Sequence, residues 1–280
     1  MAYSTVLRYK GRGLAPMEVG KKLGVGVVLL GKVNQSGDSL TLNMEMIDVE
    51  DGAYLWVAKY RRQVSDLIIL QENLAREVSE NLRIRISHAE ESEISKRYTE
   101  NPEANQMYMK GRYFWNQRNA PGLKKAIRYF RSAIKQDPRY SLAHAGLADA
   151  YILLATSEIR TPRQAIPKAR AAALKALEID ERLAEAHMSL GNIKSSFELD
   201  WQGAEREFQL AIELNPLHAP AHQYYASYLA KLGQMNHAIA EINRAYEIDP
   251  ISLSINLAAG KIYYLARRYH EAVKKCFEML

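Results

Sequence analysis

Apolar positions follow two different rhythms along the chain, and the change falls near residue 100. Before it, Leu40, Leu42, Met44 and Met46 alternate with Thr41, Asn43 and Glu45, the period-two pattern of a half-buried strand. Gly26–Val33 is a compact apolar stretch, read as a strand, and Asn34–Asp38 a polar turn. Asp51-Gly52 marks a hairpin, followed by Tyr54, Trp56, Ala58 and Tyr60 on one face of the next strand. Pro16 suits the first turn of a short helix that stops at Gly24. Ser65 can cap a long helix with the stripe Leu67, Leu70, Leu74, Val78 and Leu82. With Ser4–Tyr9 as a further strand and Lys10–Gly13 as a turn, the first segment reads as a small α/β layer structure. Ala89–Tyr98 reads as a charged continuation of that helix or a short linker.

Beyond it, Ala204–Pro216 (AEREFQLAIELNP) has echoes at Ala126–Pro138, Ala169–Glu181 and Ala238–Pro250, and a shorter one at Ala272–Leu280. Four places after the opening small residue stand Phe130, Ala173, Phe208, Ile242 and Cys276; seven places after it stand Ala133, Ala176, Ala211, Ala245 and Met279. Those offsets share one helical face, and the closing Asp-Pro or Asn-Pro ends each helix. The last set recurs at intervals of 43, 35, 34 and 34 residues, a period that means stacked helical hairpins. Aligned on it, the first helices are Ala104–Trp115, Ser141–Tyr151, Ala184–Lys194, Ala219–Leu229 and Leu253–Tyr263. A small residue recurs in each, at Gly111, Ala148, Gly191, Ala226 and Gly260, where two helices must approach closely. Three places on stand Phe114, Tyr151 and Tyr263, with Lys194 and Leu229 as departures. The longer insertion, Ile152–Lys168, is either a binding loop or a neutral insertion.

Two resemblances follow. Leu190-Gly191…Ala204…Phe208…Ala211…Pro216 resembles the tetratricopeptide repeat, and the likeness extends over residues 104–280. Tyr9-Lys-Gly-Arg-Gly-Leu, Val19-Gly-Lys-Lys-Leu-Gly, Leu30-Gly-Lys-Val, Leu55-Trp56 and Lys59-Tyr60-Arg61, with the helix from Asp66, resemble the TolB-like amino-terminal domain over residues 4–87. The fold implied is mainly α: a right-handed α-solenoid preceded by a small α/β domain. The expected divisions are 1–88 for that domain, 89–103 for a helical linker, and hairpins at 104–140, 141–183, 184–218, 219–252 and 253–280. The TolB-like resemblance further implies a leading strand and helix that Met1-Ala2-Tyr3 lacks, and no polar helix follows Leu280. The chain is therefore expected to be a fragment that can dimerise through exposed ends.

At 280 residues, with 48% hydrophobic and 25% charged residues, this is a core-forming composition. The net charge of +6 arises wholly beyond residue 100, yet Lys and Arg are mixed with acids on most helices. Nucleic-acid contact is not expected from such mixing. The longest apolar runs, such as Val25–Leu30, cannot span a bilayer. The expected location is the cytoplasm, or the periplasm if the segment belongs to a membrane-anchored regulator. One cysteine, Cys276, excludes internal disulfides and reads as a packed thiol.

Candidate chemistry is thin. His144, His187 and His222 recur at one repeat position, and neighbouring repeats stand about 8–10 Å apart. Zinc needs nitrogens at about 2 Å, so these residues read as interhelical packing and no metal is expected. Gly24-Val-Gly26 with Gly31 follows a helix and precedes a strand, the reverse of a phosphate loop. Neither a nucleophile elbow nor a paired acid and base occurs, so no enzyme and no cofactor is expected. The tetratricopeptide resemblance implies instead a groove lined by Tyr108, Arg112, Trp115, Asp149, Met188, Asn192, Gln223, Ser227, Lys261 and Tyr264. It would hold a peptide or helix of a protein partner. The domain pair resembles, alternatively, the sensory portion of a larger bacterial signalling protein carrying a winged-helix or Ser/Thr kinase domain.

Overall fold

The computed structural model describes residues 15–81, 98–250 and 252–277. The expected strand Ser4–Tyr9, the turn at Lys10–Gly13, Leu82, most of the linker, Met279 and the side chain of Cys276 lie outside the described residues. The chain divides into two compact units between Asn105 and Gln106.

In the first unit Pro16 opens α1 (Pro16–Leu23), and Gly24 closes it at φ 64°, its N–H reaching back to the carbonyls of Gly20 and Lys21. Three antiparallel strands follow in sequence order: β1 (Val27–Ser36), β2 (Ser39–Asp48) and β3 (Tyr54–Gln63). β1 runs past the expected Val33 because Ser36 pairs with Ser39. The turn therefore shrinks to Gly37-Asp38, with Gly37 left-handed at φ 57°. Leu40, Leu42 and Met44 pack with Trp56, Tyr60 and the Leu70 and Leu74 of α2 (Leu67–Asn81).

Two expectations are corrected here. Pairing steps from Met46–Trp56 to Ile47–Tyr54, which leaves Leu55 as an extra residue. That bulge moves Tyr54 off the row of Trp56, Ala58 and Tyr60, and Tyr54 is 64% exposed. The long helix begins through a 3₁₀ turn, Val64–Asp66, and the Ser65 hydroxyl goes to Asp66 Oδ1 (3.2 Å).

The second unit is a run of hairpins, whose helices are α3 (Pro102–Asn116), α4 (Ala120–Gln136), α5 (Ser141–Thr156), α6 (Pro162–Ile179), α7 (Ala184–Ile193), α8 (Trp201–Leu214), α9 (Ala219–Lys231), α10 (Met235–Ile248), α11 (Leu253–Leu265) and α12 (Tyr269–Phe277). A five-residue π-helical stretch, Lys194–Glu198, extends α7. Side chains cap several starts: Asn119 accepts from Gly122 N (2.7 Å) and Asp200 from Gly203 N (2.9 Å).

The helix ends use one repeated device. Asp137, Asp180, Asn215 and Asp249 close their helices with φ near −140°, each returning its N–H to the carbonyl of Ala133, Ala176, Ala211 or Ala245. A residue six places after the turn then takes up its carbonyl. His144 Nε2 meets Pro138 O (3.1 Å), His187 Nε2 meets Glu181 O (3.0 Å) and His222 Nε2 meets Pro216 O (3.0 Å). In the last hairpin Asn256 Nδ2 donates to Pro250 O at 2.8 Å in their place. The recurring histidines thus tie α5, α7 and α9 to the end of the preceding hairpin.

Aromatic rings fill the seams. A Cβ on Gly111 would come within 2.5 Å of the Phe130 ring, and one on Gly146 of the next hairpin within 2.8 Å. Phe130 is therefore a wedge between two repeats; fully burying such a ring contributes about 2–3 kcal/mol. Phe208 lies against Gly191 in the same way (2.9 Å). The insertion after Tyr151 forms little loop. α5 continues to Thr156, five residues beyond the expected Tyr151, and α6 begins early at Pro162, so most of the added chain becomes helix. Lys194, where other repeats carry an aromatic, sends its ammonium to Glu207 Oε1 (2.6 Å).

Candidate functional site: the inner face of the helical array

The first helices of the second to fifth hairpins, α5, α7, α9 and α11, touch one another in succession, which makes one wall of the array. α3 brings Arg112 and Trp115 to its end, and Arg118 follows in the left-handed region at φ 50°. The Arg112 guanidinium carbon lies 4.4 Å and that of Arg118 3.8 Å from the Trp115 ring centroid. Such cation–π contacts hold both charges close to a buried indole. Trp115 is itself part of the core, 4% exposed, and its Nε1 has no hydrogen-bond partner.

Asp149, on α5, faces this group. Ser189 of α7 donates its hydroxyl to Asp149 Oδ1 (2.6 Å), while Arg112 Nη1 stands 3.9 Å from Oδ2. Burial pushes the carboxyl up to about 6, against the opposing pull of Ser189 and the two arginines. From α9, the Tyr224 phenol is raised by burial, with the nearby charge of Arg118 opposing that shift. Residues more than a hundred positions apart are thereby brought near one another. His218 Nε2 stands 3.9 Å from Glu185 Oε1, and His218 Nδ1 is buried without a partner. Burial pushes that imidazole below its ordinary value. Tyr108 packs against Phe130 and Tyr140 at 5.8 and 5.1 Å, and burial raises its phenol to about 12.

Of the groove residues expected from sequence, Tyr108, Arg112, Trp115 and Asp149 converge here. Met188 is buried among Ala211, Ala221 and Tyr224, and Asn192 is buried with its Oδ1 accepting from Ser196 (3.1 Å). Gln223 Oε1 accepts from Ser254 Oγ (3.2 Å) in the next hairpin, and the Ser227 hydroxyl is spent on Gln223 O (3.0 Å). Lys261 and Tyr264 are exposed on α11. Lys231 donates to Ser196 Oγ (2.9 Å); burial, and then the charge of Lys261, lower its ammonium.

Arg118, Glu185, Ser189, His218 and Tyr224 are absent from the sequence-derived set. Ser189 and Tyr224 each stand one place after the expected Met188 and Gln223. A residue step on a helix is about 100°, so the working face is simply rotated toward them. Arg118 lies in a turn, where helical periodicity carries no signal.

Among the described residues no group of three or more His, Cys, Asp or Glu is placed to hold a metal ion. None of the described helices is long and apolar enough to cross a membrane.

No family model matches the sequence. Over 194 residues, 68% of this chain and 32% of the relative, it is 28% identical to putative adenylate cyclase 3 of Rhizobium meliloti (strain 1021). Over 168 residues, 60% of this chain and 30% of the relative, it is 25% identical to the transcriptional regulator HilA of Salmonella typhimurium. The chain thus spans about a third of the length of these two relatives. Among solved structures, TTC0263, a thermophilic TPR protein of Thermus thermophilus, superposes with a TM-score of 0.52 at 18% identity, over 63% of this chain and 90% of that one. The helical array has the tetratricopeptide-repeat fold.

Proposed function

We propose that this chain is a non-enzymatic protein-interaction scaffold that takes an extended peptide or a helix of a partner along the inner face of its hairpin array. One observation supports the reading: side chains of four successive hairpins, Arg112, Asp149, Ser189 and Tyr224, lie near one another. Side chains of this kind orient a ligand by hydrogen bonds and charge, and the aromatic rings beside them supply contact area. Panning a displayed peptide library on the intact chain tests it. A consensus enriched on the wild type and lost on Arg112→Glu/Tyr264→Ala is the expected result. No consensus, or the same one on the variant, would reject the proposal.

A second reading makes the chain the sensory or regulatory portion of a longer signalling protein. It draws support from two relatives, about three times longer than the aligned part, whose names are those of a cyclase and a transcriptional regulator. The TolB-like resemblance of residues 4–87 agrees with it. In that setting the array would recruit or sense, and the chemistry would lie elsewhere. The coding sequence on either side of this segment decides: an adjoining catalytic or winged-helix domain supports the reading, and its absence refutes it.

A further inference from the structure

We infer that the partner segment received by the inner face is acidic, and that Asp149 acts as a built-in competitor that holds Arg112 until a carboxylate of the partner displaces it. This deepens the scaffold reading and rests on it.

The charge inventory of the face points this way. Arg112 and Arg118 meet on the Trp115 ring, and two further cations, Lys231 and Lys261, lie near each other on α9 and α11. Among the described residues only Arg112 of the four has a carboxylate within ion-pair reach, and at 3.9 Å that contact is too long for a hydrogen bond. Arg118 lies over the Trp115 ring, and Lys231 donates to a serine hydroxyl. The acids facing the cluster are Asp149 and Glu185, and Glu185 sits beside His218.

A second, independent observation is the buried indole. Trp115 Nε1 is a donor removed from water with no acceptor among the described residues. It lies on the same ring that carries the two guanidiniums. A carboxylate offers two oxygens, enough to accept from the two guanidiniums together.

Asp149 supplies the competition. It is held by Ser189 from α7 and faces Arg112 from α3, Arg118 from the following turn, Tyr108, Glu185 and Tyr224. As Asp149 takes up a proton, Arg112 loses its countercharge and the face becomes more positive. An acidic ligand then binds more tightly. A peptide is favoured over a nucleic acid because Asp149 and Glu185 separate the cations. Side-chain carboxylates can be placed singly, and so can meet a guanidinium where an unbroken row of phosphates cannot.

Fluorescence anisotropy with a labelled oligo-glutamate peptide tests this on the intact chain, with oligo-glutamine and single-stranded oligothymidylate as rivals. Oligo-glutamate is expected to bind at least roughly tenfold more tightly than oligo-glutamine. Arg112→Gln and Arg118→Gln each weaken it by about tenfold, whereas Lys124→Gln, on the outer surface, does not. Asp149→Asn should strengthen binding at neutral pH, a gain that misfolding cannot produce. It should also abolish the tightening seen in the wild type from about pH 7.5 to about pH 5.5. Equal binding of the two peptides, tighter binding of the oligonucleotide, or no gain in Asp149→Asn would each overturn the inference. A non-acidic consensus from library panning, lost on the groove variant, would overturn it while leaving the scaffold reading intact.

Discussion

Ser189 Oγ donates to Asp149 Oδ1 across 2.6 Å, although the two residues lie 40 positions apart and belong to different hairpins. The bond carries one repeat's geometry to the next, because both side chains are buried and neither has water as an alternative. Removing the donor leaves a desolvated carboxyl with its hydroxyl partner gone. Ser189→Ala is therefore expected to cost about 1–3 kcal/mol, read as a lower thermal midpoint at neutral pH.

Asp149 itself makes stability depend on pH. Its carboxyl titrates near 6 in the fold, against an ordinary 3.8. A group raised on folding contributes stability that is complete below the ordinary value and is lost as pH rises through about 6. Each unit is worth about 1.4 kcal/mol, so burying the charge at pH 7.5 costs on the order of 3 kcal/mol. Asp149→Asn should raise the thermal midpoint at about pH 7.5 and change it little at about pH 4. An equal shift at both would show that the carboxyl is not strained by burial.

The recurring histidines divide in their titration. Burial lowers His144, with the Lys175 charge adding to it, and the Pro138 carbonyl and the charges of Asp137 and Glu178 oppose it without reversing it. Burial also pulls His187 down, but its bonds to Glu207 (2.8 Å) and the Glu181 carbonyl outweigh that, and its net shift is upward. Both of its ring nitrogens face acceptors, which favours the doubly protonated ring. NMR titration should find His187 above His144, and Glu207→Gln should bring His187 down. Stability from the His187–Glu207 pair is present below the ordinary histidine value and fades as pH rises through the folded one.

Close helix approach makes the small residue at 191 testable by volume. The Phe208 ring stands 2.9 Å from where a Cβ on Gly191 would be. Gly191→Ala should destabilise by about 1–3 kcal/mol despite alanine's better helix propensity. Phe208→Leu should recover part of that loss in the double variant, because a smaller side chain clears the seam. Additive losses in a double-mutant cycle would mean that the two sites do not touch.

In the first unit, Tyr60 donates to Glu77 Oε2 at 2.5 Å, and its phenol is pushed up to about 12, by burial first and then by that carboxylate. Glu77→Gln should shift the ultraviolet titration of this tyrosine downward toward its ordinary value. No shift would mean that burial acts alone.

The hairpins were legible because their signal is local. Ala204, Phe208, Ala211 and Pro216 sit on one face and at one helix end, and each repeat states the same rule again. The turn at Gly24 and the alternation of Leu40, Leu42, Met44 and Met46 were legible for the same reason. The bulge at Leu55 was not, since a strand's register depends on its neighbour. The insertion after Tyr151 could be read as a binding loop or a neutral insertion, and in the structure most of it continues α5 and opens α6.

Sequence by itself determined the repeat, the order of elements and which positions are small. Tertiary structure alone decided that Arg118 would come near Tyr224, that Ser189 would meet Asp149 and that Trp115 would keep an unpartnered N–H. The reason is that each of these contacts joins side chains from different elements, whose relative placement is set by packing between hairpins and is not written in any single repeat.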